Sequence, residues 1–100
     1  VLSGFIRVVT HRGSFPDPTP ISDAVAFCDE LISRPQACIL RPGPRNWNIF
    51  TQLCRDLPAT GKLVADAWHA ALAIEYDCTF YTADSDFARF KSLKSRHPLA

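Results

Sequence analysis

Cys78-Thr79-Phe80-Tyr81-Thr82-Ala83-Asp84-Ser85-Asp86-Phe87-Ala88-Arg89-Phe90 joins a run of β-formers to two closely spaced acids and a pair of phenylalanines. Residues 78–82 are rich in β-branched and aromatic side chains and read as a short buried strand. Two acids one residue apart follow it directly, and Ser85 or Asp86 is placed to cap a short helix carrying Phe87 and Phe90. In open α/β sheets, ligands bind beyond the carboxyl ends of strands. Asp84 and Asp86 therefore stand where several oxygens could be offered to a hard cation such as Mg²⁺. The alternative is that Asp86 only caps the helix.

Working upstream, residues 63–76 make the clearest helix. Ala65, Ala67, Ala70, Ala71 and Ala73 favour it intrinsically and would let it pack close to a sheet. Asp66 falls near its start, where a carboxylate is favoured by the helix dipole, so it is either a first-turn acid or a site residue. Before it, Pro58 to Gly61 breaks the chain, and Trp47, Phe50, Leu53, Cys54 and Leu57 repeat at helical spacing. Pro42-Gly43-Pro44 is a turn, and the apolar run Ala37 to Leu40 reads as another buried strand. Ala24, Phe27 and Leu31 mark a helix that Ser22 would cap and Arg34-Pro35 would end. His11 to Pro20 is a proline-rich loop. Residues 1–10 suit a strand by propensity and a helix by spacing, and the pattern alone does not separate the two.

Buried strands alternating with helices indicate an α/β domain with a parallel sheet flanked by helices. Two short strands are too few for it, since sheets usually hold about four to six strands. The domain is therefore expected to be incomplete at its N-terminus, with strands lying upstream of Val1. Val1-Leu2-Ser3-Gly4 has neither a basic segment nor an apolar core and does not read as a signal peptide.

Bulk composition narrows the rest. Hydrophobic residues make up 47% of the 100, enough for a packed core rather than disorder. There is no apolar run long enough for a membrane span. Eleven Lys+Arg against ten Asp+Glu leave a net charge of +1, which neither demands nor excludes nucleic acid. Arg89, Lys91, Lys94 and Arg96 nevertheless cluster near the C-terminal end, as a solvated face or as contacts to an RNA backbone. The cysteines, Cys28, Cys38, Cys54 and Cys78, form no CxxC pair, so a zinc site is not expected; reduced, mostly buried thiols in a cytoplasmic protein are. His11, His69 and His97 share no ligand spacing. Acids at helix and strand ends, with no Cys/His site, favour metal-assisted phosphodiester hydrolysis. Converging carboxylates should also raise at least one carboxyl pKa unless a cation is present.

The motifs resemble a known family. Leu63-Val64-Ala65-Asp66-Ala67 with Ala70-Ala71-Leu72-Ala73-Ile74-Glu75 is similar to the stretch around the third acid of VapC-type PIN domains. Thr82-Ala83-Asp84-Ser85-Asp86-Phe87 resembles the family's T-x-D-x-D-F motif, and His97-Pro98-Leu99 its tail. Gly4-Phe5-Ile6-Arg7-Val8-Val9-Thr10 is similar to the helix after its second strand, which implies a helix at residues 1–10.

The resemblance covers residues 1–100, the C-terminal portion of a PIN domain. It implies a Mg²⁺- or Mn²⁺-dependent endoribonuclease, the toxin of a type II toxin–antitoxin pair. Asp66 and Asp84 would be its catalytic acids, and Asp66, Asp84 and Asp86 its metal-binding residues. The implied partners are a VapB-type antitoxin, a structured RNA such as tRNA, and a second copy of the chain in a homodimer. Two features depart from the pattern: the D-x-N-type motif of the first acid is absent, and Gly4 stands where many members carry Glu. The chain alone is accordingly expected to be weak or inactive. The other reading kept is a non-catalytic α/β binding or dimerisation module, which divalent-metal binding would distinguish.

Overall fold

Of the two alternatives for residues 1–10, the helix forms: α1 spans Leu2–Val9 and closes with the Thr10 hydroxyl donating to the Ile6 carbonyl at 2.7 Å. The computed structural model describes residues 1–13 and 16–99. They fall into two compact units, Val1–Ile39 and Leu40–Ala100.

In the first unit, α1 packs on α2 (Ile21–Ser33) through Phe5 and Phe27, whose ring centroids are 5.5 Å apart. Ser22 is not the cap of α2. Pro20 holds that place in an extended conformation, and its carbonyl receives the amides of Asp23 and Ala24. A proline needs no amide partner of its own, and with it as cap the helix starts two residues earlier than a Ser22 cap would allow. Arg34 is extended at ψ 141°, as a residue before proline must be, and it ends the helix. The strand expected at Ala37–Leu40 does not form. Ala37 donates back to Arg34 in a turn, and Cys38 and Ile39 are exposed, with no neighbouring strand to pair with among the described residues.

The second unit contains the core. Helix α3 (Asn46–Asp56) lies on α4 (Lys62–Glu75), with Phe50 edge-on to Trp68 at 5.1 Å. Ala67, Ala70 and Ala71 have no solvent exposure, so the small side chains of α4 serve the close packing read from the sequence. Leu53, Phe87, Phe90 and Leu93 complete this core, and full burial of each contributes about 1.5–3 kcal/mol. Two hydrogen bonds close α4, Cys78 N–H to the Ala73 carbonyl and Asp77 N–H to that of Ile74. Asp77 takes the left-handed position at φ 54°, a place aspartate tolerates better than most residues.

After this turn comes β1 (Phe80–Tyr81), shorter than the expected 78–82, and then a 3₁₀ helix (Ser85–Arg89). Strand β2 (Ser95–Arg96) runs parallel to β1, pairing Phe80 with Ser95 and Tyr81 with Arg96. Residues 95–96, polar and at the end of the basic cluster, carry no strand signal of their own. Phe80 packs on Phe87 at 4.7 Å, which folds the 3₁₀ helix back and brings the chain alongside β1. Helices with a parallel pair of strands match the expected α/β class. No helix among the described residues is long and apolar enough to cross a membrane.

Candidate active site

Gly61 determines where the acids of α4 fall. It caps the helix at φ 58°, ψ −127°, a backbone region open essentially to glycine. The helix therefore begins at Lys62, and Asp66 sits in its second turn rather than its first. This removes the first-turn reading of Asp66. Its carboxylate is buried, with the side chain 9% exposed, at the end of the core formed by the alanines.

Asp84 comes from the other side. It lies just past β1, and its backbone N–H donates to the Thr82 hydroxyl at 3.1 Å. Its Oδ1 accepts the Asp86 amide at 2.9 Å, so Asp84, not Ser85 or Asp86, caps the 3₁₀ helix. This arrangement turns Asp84 Oδ2 and the Asp86 carboxylate toward Asp66. One oxygen from each of Asp66, Asp84 and Asp86 lies within 4.8 Å of the others.

The centre of this cluster holds a cation, Lys62, to which the sequence gives only a partial clue. Lys62 Nζ donates to Asp66 Oδ2 at 3.1 Å, to Asp84 Oδ2 at 2.7 Å and to Asp86 Oδ2 at 3.5 Å. The spacing of four between Lys62 and Asp66 was a legible signal for the first contact, because such residues are neighbours on a helix. The Lys62 hydrogen bond, reinforced by the Asp86 amide, lowers the Asp84 carboxyl pKa from its ordinary value. A raised carboxyl pKa is expected only without a cation among the acids, and the Lys62 ammonium is such a cation; at Asp84 it outweighs the opposing effect of desolvation. In return, the hydrogen bonds to Asp84 and then Asp66 raise the Lys62 pKa.

Beyond the acids, a groove of about 280 Å³ opens at the ends of the two strands, lined by Thr82, Asp84, Ser85, Ala88, Arg96 and His97 among others. Of the four basic residues read as RNA contacts, Arg96 lines this groove. Lys94 is instead paired with Asp77 at 2.8 Å, and Arg89 and Lys91 are exposed. No cysteine joins a cluster of potential metal ligands among the described residues, and all four are free thiols. Cys28 is buried, Cys54 and Cys78 are half-buried and Cys38 is exposed, so the thiols are less buried than expected.

A three-acid cluster invites comparison with known proteins. The PIN domain family matches residues 1–93. The chain is 50% identical over 99 residues to VapC ribonuclease Mb2897 of Mycobacterium bovis, covering 99% of this chain and 67% of that relative. Ribonuclease VapC43 of Mycobacterium tuberculosis H37Rv is similar to the same extent. Ribonuclease VapC25 of that organism is 37% identical over 98 residues, covering 98% of this chain and 69% of that relative.

Proposed function

This chain belongs to the PIN domain family, and from that premise we propose that it is a VapC-type ribonuclease toxin that hydrolyses RNA phosphodiester bonds with a divalent metal ion. The observation that carries the proposal is the meeting of Asp66, Asp84 and Asp86, with oxygens within 4.8 Å of one another, in a chain matched by the family over residues 1–93.

The donor set fits Mg²⁺ or Mn²⁺. Hard cations of this kind take carboxylate oxygens, and Mg²⁺ is commonly held by one or two carboxylates plus substrate phosphates. The Lys62 ammonium, hydrogen-bonded to all three acids, is a built-in stand-in for such an ion. Asp66 and Asp84 are the principal ligands in this reading and Asp86 the outer one. The ion would supply a water of lowered pKa and stabilise charge on the phosphoryl oxygens.

The protein's own residues supply position. Asp66 is held by burial, and Asp84 by the Thr82 hydroxyl and the Asp86 amide, so both carboxylates are aimed before substrate arrives. Arg96 in the adjoining groove is placed to receive an RNA phosphate, with Arg89, Lys91 and Lys94 as further backbone contacts.

The family membership also supports a VapB-type antitoxin as partner. Homodimerisation belongs to the same reading and is supported by apolar side chains left exposed on α1 and α2, such as Val8, Phe27 and Ile32. The chain would constitute part of the PIN domain and act in the cytoplasm.

The test is cleavage of RNA by the protein at its full natural length, with Mg²⁺ or Mn²⁺ and with EDTA. Cleavage that stops with EDTA, and with Asp66→Asn or Asp84→Asn, is the expected result. Cleavage indifferent to EDTA and to both substitutions would overturn the metal mechanism. Absence of both metal binding and cleavage would favour a non-catalytic binding module.

A further inference from the structure

Lys62 stands where local rules disfavour a cation. It is the first residue of α4, and a positive charge at a helix N-terminus opposes the helix dipole. The i,i+4 contact with Asp66 offsets this locally only in part, since such a pair is weak on a helix and weaker still with the cation on the N-terminal side. The side chain is 64% exposed, so packing does not explain its course either. Its destination does, because Nζ reaches one oxygen of each acid in the cluster.

The overlap with a metal ion concerns individual oxygens. Asp84 Oδ1 already accepts the Asp86 amide at 2.9 Å, so Oδ2, which faces the other acids, is the oxygen better placed to bind a cation. That is the oxygen Lys62 holds most closely, at 2.7 Å. Mg²⁺ requires its oxygens at about 2.0–2.1 Å. From the Lys62-bound distances of 2.7–3.5 Å, the donors would move inward by roughly 0.6 Å (2.7 − 2.1) to 1.4 Å (3.5 − 2.1). An ammonium cannot remain at the centre of the contracted cluster.

We infer that Lys62 is an intramolecular counter-ion that occupies the divalent-cation position and must be displaced before a metal ion binds, so that it sets the metal affinity of the site. This inference rests on the metal-site reading above. Lys62 holds three mutually repelling carboxylates together in the metal-free protein. Its long, exposed side chain can then withdraw into solvent without disturbing α4.

The experiment is Mn²⁺ titration of the full-length protein and its Lys62→Met, Lys62→Gln and Lys62→Arg variants, by calorimetry or by the electron paramagnetic resonance signal of free Mn²⁺. Lys62→Met and Lys62→Gln should bind Mn²⁺ more tightly by on the order of 10-fold, the scale on which groups around a metal site tune affinity. Lys62→Arg keeps the charge and should stay near the wild-type affinity. Thermal melting gives a second readout: without metal, the Met and Gln variants should melt below wild type, and Mn²⁺ should raise them more. Wild-type or weaker affinity in both neutral variants overturns the inference while leaving the metal site intact. No Mn²⁺ uptake by wild type or by either neutral variant is a different result, which removes the metal-site reading and this inference together.

Discussion

Glu75 holds the turn before α3 through Gly43: its Oε1 accepts the Gly43 amide at 2.9 Å, and its Oε2 accepts the Arg45 amide at 3.1 Å. The arrangement joins the last residue of α4 to the Pro42-Gly43-Pro44 turn. Arg45 returns the contact by donating from its guanidinium to the Glu75 carbonyl. The Tyr76 hydroxyl adds a bond to the Arg41 carbonyl at 2.7 Å.

A side chain at position 43 would collide with the Glu75 carboxylate, which is buried. Gly43→Ala should therefore destabilise the protein by about 1–3 kcal/mol, the usual range for overpacking. Glu75→Ala leaves two amides without their acceptor, at about 1–3 kcal/mol for each that stays buried. Urea denaturation measures both. A Gly43→Ala variant as stable as wild type would show that the carboxylate is free to move.

The Asp77–Lys94 pair gives a pH dependence away from the acid cluster. The Lys94 hydrogen bond lowers the Asp77 carboxyl pKa below its ordinary 3.8. A depressed folded pKa contributes stability above the ordinary value and loses it as pH falls through the folded value. The Asp77 carboxyl resonance should therefore titrate below pH 3.8. Lys94→Met should bring it back toward that value, and added salt should do the same in part, because both groups are exposed. An Asp77 titration unchanged by Lys94→Met would rule out the pairing in solution.

RNA binding should separate Arg96 from Lys94. Arg96 lines the groove beside Asp84, whereas Lys94 is engaged by Asp77. Arg96→Ala should weaken RNA binding and lower the dependence of log affinity on log salt by about one unit, as for the loss of one phosphate contact. Lys94→Ala should change the slope less. Equal effects from both would indicate a diffuse basic surface rather than a contact in the groove.

Much of the site is legible in the sequence. The alanines of α4 and the β-formers before Asp84 declare their elements by composition, and the acids follow from where those elements end. The resemblance settled α1, where spacing and propensity conflicted. Other features depend on contacts that local sequence does not encode. Ser95-Arg96 is short and polar, and becomes a strand only because the 3₁₀ helix places it beside Phe80 and Tyr81. Ala37 to Leu40 has the apolar run of a strand but finds no partner strand among the described residues. Lys62 reaches Asp84 and Asp86 across 22 and 24 residues, and Glu75 reaches Gly43 across 32. The burial of Glu75 is visible only once the turn has folded onto it.

Substitutions at Asp84 can separate its structural task from its chemical one. Oδ1 caps the 3₁₀ helix, while Oδ2 faces the cation position. Asp84→Asn retains an oxygen for the cap, since asparagine caps about as well as aspartate. It should melt close to wild type yet lose metal binding and RNA cleavage, the latter by on the order of 100-fold or more. Asp84→Ala should lose both functions and also destabilise the protein by about 0.5–2 kcal/mol through the missing cap. Asp86→Asn provides the comparison: Asp86 is the most distant of the three acids from Lys62 and is half exposed, so its loss should weaken metal binding by only about 10-fold. Calorimetry with Mn²⁺, denaturation and RNA cleavage on the three variants complete the comparison. If Asp84→Asn binds Mn²⁺ as wild type does, Oδ2 is not a ligand, and the acid cluster has to be assigned another role.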